Sequence, residues 1–173
     1  MAGSLIKIDE EIVTSAVASV TLTGIDSTYD VYMVRYNNAT ITTNNDRIDF
    51  RVTVSGTPDT SANYDNAYKG LRSDSTFING AATNVSYYNM VNQQVASGKS
   101  LNGIMYLFNF NNASEYSFWT NENTMFWSGS SNLLGQQGGA VHTVAQACDG
   151  VQFLASGTSN LESGTFTLYA LKK

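Results

Sequence analysis

Residues 47–55 read RIDFRVTVS, and the alternation is strict. Ile48, Phe50, Val52 and Val54 fall on one side, Asp49, Arg51, Thr53 and Ser55 on the other. Apolar side chains at every second residue describe a strand with one face in a core and one in water. Gly56-Thr57-Pro58-Asp59 closes the segment, because proline cannot donate to a ladder and glycine breaks the run.

The same period recurs on both sides of this strand. At 165–171, Phe166, Leu168 and Ala170 alternate with Thr165, Thr167 and Tyr169; at 102–109, Ile104, Tyr106 and Phe108 oppose Met105 and Leu107. Further strands are expected at 11–23, 29–37 and around 85–90, at 115–120 and 124–128 (which hold Trp119 and Trp127), at 141–147 and at 151–155. Tyr64, Ala67, Tyr68 and Leu71 recur at i, i+3, i+4 and i+7, the spacing of one helical face. They predict a single short helix near 62–72, cut off by Gly70. Residues 129–140 (GSSNLLGQQGGA) read as a flexible glycine-rich loop. Roughly eight to ten short strands with regular turn signals predict an all-β antiparallel sandwich, with a jelly roll as the expected wiring. One domain, 1–173, accounts for the length, with 1–10 as an extended N-terminal arm.

Composition supports strands over helices. Charged residues make up 13% of the chain, about half the usual share, while there are ten Tyr and 14 Gly. Lysine and glutamate populate exposed helix faces, whereas Thr, Tyr, Val and Phe suit pleated surfaces. A formal charge of −5 repels phosphate backbones, so neither nucleic acid nor an anionic membrane is an expected partner. Residues 1–11 (MAGSLIKIDEE) place acids where a secretory signal needs apolar residues, so the product is expected to be soluble and made in a cytosol.

Few residues point to chemistry. His142 is the sole histidine, and no Gly-x-Ser-x-Gly elbow accompanies it, so a strand histidine held by a hydrogen bond is expected over a catalytic one. Cys148 is the sole cysteine, read as a small buried hydrophobe. One His and one Cys cannot supply a zinc site. Oxygen ligands for calcium are conceivable at Asp26 with Asp30 or at Asp59 with Asp65, but turn carboxylates bonded to nearby backbone are the favoured reading. No metal or cofactor is therefore expected. A carboxylate pair for sugar hydrolysis would have to be Glu115 with Glu122, in the aromatic stretch around Tyr116, Trp119 and Trp127. With Asn121 and Asn123 beside them, those three aromatics are the candidate glycan or partner contacts. Core packing is the favoured alternative for this cluster. The chain is expected to bind or assemble and not to catalyse.

Three segments carry a resemblance: LIKIDEEIVTSAVASVTLTGIDSTYDVYMV (5–34), NGIMYLFNFNNASEYSF (102–118) and DGVQFLASGTSNLESGTFTLYALKK (149–173). Together they resemble virion structural proteins of tailed marine bacteriophages; stretches 39–45 and 123–139 look individual. The resemblance implies a sandwich or jelly-roll particle component located in the virion. It implies either a capsid decoration subunit or a tail fibre, spike or receptor-binding module. Its implied partners are other virion proteins and copies of itself, with a trimer favoured. It supplies no catalytic or ligand motif.

Overall fold

The period-two stretch becomes β4 (Ile48–Val54), with Ile48, Phe50 and Val52 buried against the opposite sheet. The computed structural model describes residues 4–44, 46–74, 77–127 and 132–172. Four antiparallel pairings nest around β4. The outermost joins β1 (Leu5–Val13) to β13 (Leu161–Leu171). Inside it, β2 (Ser19–Thr23) pairs with β12 (Gly150–Ala155), and β3 (Val31–Ile41) with β9 (Leu101–Phe108). The innermost joins β4 to the short β8 (Tyr88–Asn89). First with last, second with second-last, and so inward, is a long hairpin folded over on itself. Its pairs fall alternately into two sheets, which is the jelly-roll wiring.

The larger sheet runs β1-β13-β3-β9 and then continues into strands outside that nest. They are β10 (Ser117–Trp127), β11 (Asn132–His142), β6 (Tyr64–Arg72) and β7 (Ile78–Val85), giving eight strands with β1 and β7 as edges. The smaller sheet is β2-β12-β4 with β5 (Thr57–Pro58) and β8 along the far side of β4. Ser55 and Gly56, both with positive φ (51° and 73°), link β4 to β5 in a two-residue hairpin that brings Thr53 opposite Pro58.

The core lies between the sheets. Trp119 of β10 sits at its centre, with ring centroids 5.0 Å from Phe50, 5.6 Å from Tyr88, and 6.2 Å from Tyr64 and from Phe110. Phe153 of β12 packs on Phe50 (5.6 Å) and on Phe166 of β13 (5.1 Å), so rings from both sheets interlock.

Several expectations need correction. No helix forms among the described residues: 64–72 is a strand, in which Tyr64 and Gly70 are buried while Ala67, Lys69 and Leu71 are exposed. Tertiary pairing with β11 and β7 overrides the apparent helical spacing. The glycine-rich stretch is also mostly strand, since residues 132–140 lie in β11; 129–131 lie outside the described residues. Gly138 explains its composition, because a Cβ there would stand 2.7 Å from the Ala67 carbonyl oxygen and 2.8 Å from Tyr68 Cβ. Only glycine lets β6 and β11 approach so closely. Residues 5–10 belong to β1 and are not an arm, and 11–23 divides between β1 in one sheet and β2 in the other. The two aromatic strands expected at 115–120 and 124–128 are one uninterrupted β10, and of 141–147 only 141–142 is strand.

Candidate functional site

β10 separates the candidate contact residues by parity. Trp119, Asn121, Asn123 and Met125 point inward and are buried, while Phe118, Thr120, Glu122, Thr124 and Phe126 point outward. Trp119, Asn121 and Asn123 therefore cannot touch a glycan or partner in this fold. Tyr116 is exposed just before the strand. Trp127 is half-buried at its other end, with the Arg72 guanidinium 4.6 Å from its ring. A strand of that length separates them by roughly 35 Å, so they do not form one surface.

The inward amides serve a different purpose. Asn121 and Asn123 each donate to the Met90 carbonyl (2.7 and 2.6 Å), and Gln136 of β11 adds a third, longer bond of 3.3 Å. Tyr36 donates to Asn121 Oδ1 at 2.6 Å, and the Asn92 backbone N–H donates to Gln136 Oε1 at 2.9 Å. This buried network holds the segment after β8 against the large sheet. Burial raises the Tyr36 hydroxyl well above its ordinary range and Tyr88 to about 12, so both stay protonated; Tyr88 accepts from Asn121 Nδ2 at 3.2 Å.

The remaining candidates are each held by their own chain. His142 is fully buried, with Nε2 2.9 Å from Asp59 Oδ2. Ser61 donates to that same carboxylate, which therefore stands between the Ser61 hydroxyl and the imidazole. Burial pushes the Cys148 thiol up to about 11, leaving it unreactive. Asp26 accepts from the Thr28 N–H and from Tyr32, and Asp65 accepts from the Asn84 N–H. Thr28's hydrogen bonds hold the Asp26 carboxyl below its ordinary value. Among the described residues no cluster of three or more metal-ligating side chains forms. Glu115 and Glu122 are both exposed. From the start of β10 to Glu122 is already roughly 17 Å of strand, well beyond the carboxylate spacing of a glycosidase.

What remains is the outer face of the large sheet. Beside Phe108 and Phe118, small residues of β6 and β11, among them Ala67 and Gly139, floor a shallow apolar trough of about 460 Å³. Further along β10, Phe126 lies opposite Leu133, and Leu71 opposite Gly135. Phe126, Leu133, Leu71 and Phe118 are 40%, 53%, 41% and 43% exposed, large values for residues of this type. The flanking edge strand β7 (INGAATNV) carries no charge, whereas the opposite edge, β1, carries Lys7, Asp9, Glu10 and Glu11. The burial along 117–127 alternates strictly, but the sequence hides it, because asparagines occupy inward positions and Phe118 and Phe126 outward ones.

Comparison with known proteins adds little to this picture. No family model matches the sequence, and no curated protein matches it. Among solved structures, a fructofuranosidase from Schwanniomyces occidentalis, complexed with fructosylnystose, aligns over 98% of this chain at 10% identity with a TM-score of 0.27. The chain spans about a third (34%) of that enzyme's length. A likeness this faint carries no argument about activity.

Proposed function

We propose that the chain is a structural subunit of a bacteriophage virion, a decoration or cementing protein on the capsid exterior with no catalytic activity. It assembles with copies of itself, a trimer being favoured, and with neighbouring capsid proteins. The observation that carries this reading is the pair of exposed apolar clusters on the outer face of the large sheet, Phe118 at one end of β10 and Phe126, Leu133 and Leu71 at the other, beside an uncharged edge strand. Exposed apolar clusters bordered by polar residues mark contact sites, and proteins that avoid edge pairing usually place charges there. The three segments that resemble phage virion proteins support the same reading. A tail placement with glycan contact is weakened, because Trp119, Asn121 and Asn123 face the core.

Phe126→Glu with Leu133→Glu tests the face directly. Both side chains are exposed, so the double variant is expected to fold with unchanged circular dichroism. Its self-association in sedimentation and its recovery on particles are expected to fall by tenfold or more, equivalent to about 1.4 kcal/mol. Undiminished incorporation would remove the face from the proposal. Cryo-electron microscopy that located the subunit on the tail would overturn the head placement.

A further inference from the structure

The outer surface of the smaller sheet holds a second concavity, unrelated to the apolar face. It has a volume of about 490 Å³, within the roughly 300–1,000 Å³ typical of small-molecule sites. Asp46, Arg47, Asp49, Arg51 and the half-buried ring of Tyr87 line it. Asp49 is only 4% exposed, yet its Oδ1 has no hydrogen-bond partner. Arg47 Nε is also buried without one, as is Oδ1 of Asn89, which stands across the ladder from Asp49. Buried polar atoms are nearly always satisfied, so an orphaned acceptor and an orphaned donor on two residues that line one pocket call for an explanation.

The chemistry of the orphans limits what answers them. Asp46 and Asp49 cancel Arg47 and Arg51, so the site has no net attraction for an ion. A sulfate or phosphate would satisfy Arg47 but confront two acceptors. A metal cation would satisfy the acceptors but sit beside two guanidinium groups. A hydroxyl both donates and accepts, and neighbouring hydroxyls on one ring do so at two points. Tyr87 adds an aromatic surface beside the polar groups.

We infer that this pocket binds a neutral sugar, with hydroxyls donating to the Asp49 carboxylate and accepting from the Arg47 guanidinium. The inference stands independently of the virion reading, since it uses the opposite sheet. Nor does it use any of the aromatic candidates read from the sequence.

The test is a two-dimensional amide NMR titration of the full chain with D-glucose, D-galactose, D-mannose and N-acetyl-D-glucosamine, each alone. Sodium sulfate and calcium chloride serve as comparison probes. At least one sugar is expected to shift the amides of Asp49, Leu154 and Gly157. Asp49→Leu, which removes the acceptor and keeps an apolar side chain of similar size, is expected to weaken that response by tenfold or more. Phe126→Glu with Leu133→Glu is expected to leave it intact. The inference is overturned by silence from all four sugars or by a response to sulfate or calcium alone. Shifts that map elsewhere or survive Asp49→Leu overturn it equally.

Discussion

Trp119→Ala is expected to lower the unfolding free energy by about 3–5 kcal/mol, whereas Trp119→Phe is expected to lower it by no more than about 1–2 kcal/mol. The indole touches rings from both sheets: Phe50 and Tyr88 from the smaller, Tyr64 from the larger, and Phe110 after β9. Truncation to a methyl leaves a cavity that four rings cannot all collapse into. Phenylalanine keeps most of that contact. It also deletes Trp119 Nε1, which is buried without a hydrogen-bond partner, and so removes an unsatisfied donor. Equilibrium denaturation in urea, monitored by circular dichroism, reads both values. Equal losses for the two variants would show that the N–H matters more than the ring. No loss for alanine would mean that Trp119 lies outside the core.

The contrast between those variants bears on what the sequence could reveal. Strands with one apolar and one polar face were legible, as at Ile48, Phe50 and Val52, because burial on one side imposes alternation. Where the inward face carries polar or small residues, the alternation disappears. In β6 the inward positions are Tyr64, Asn66, Tyr68 and Gly70, and Gly70 is empty because Ile78 fills the space above it. In β11 glycines mark close approach and not mobility. In β10 the inward asparagines look like turn residues until the Met90 carbonyl they bind is known. That partner lies some thirty residues away in the chain, and no local pattern encodes it. Three of the five candidate contacts are withdrawn by the same geometry: composition gathers Trp119, Asn121 and Asn123, the pleat turns them inward, and the core packing favoured for this cluster holds for Trp119.

The orphaned carboxylate produces the second large effect, and its sign follows from burial. Burial pushes the Asp49 carboxyl from an ordinary value of 3.8 up to about 6; the facing charges are Arg47 and Arg51, which oppose the rise, and Asp46, which adds to it. A carboxyl that holds its proton more tightly when folded contributes no penalty below about pH 4 and a growing one as pH rises through 6. Above that the penalty is constant. A displacement of this size corresponds to roughly 3 kcal/mol. Asp49→Asn, neutral at every pH, is therefore expected to match the parent at pH 4 and to exceed it by about 2–3 kcal/mol at pH 8. The difference between the two proteins isolates this group from every other carboxylate that titrates over the same range. Urea denaturation at a series of pH values measures it. A constant difference across the series would mean that Asp49 binds its proton equally in the folded and unfolded chain, its burial already compensated. A larger parent stability at pH 8 would assign the carboxylate a stabilising ion contact with Arg47 or Arg51. The expected outcome instead identifies a charge kept in the fold at a net loss of stability. Selection retains such groups where they contact something other than the protein's own chain.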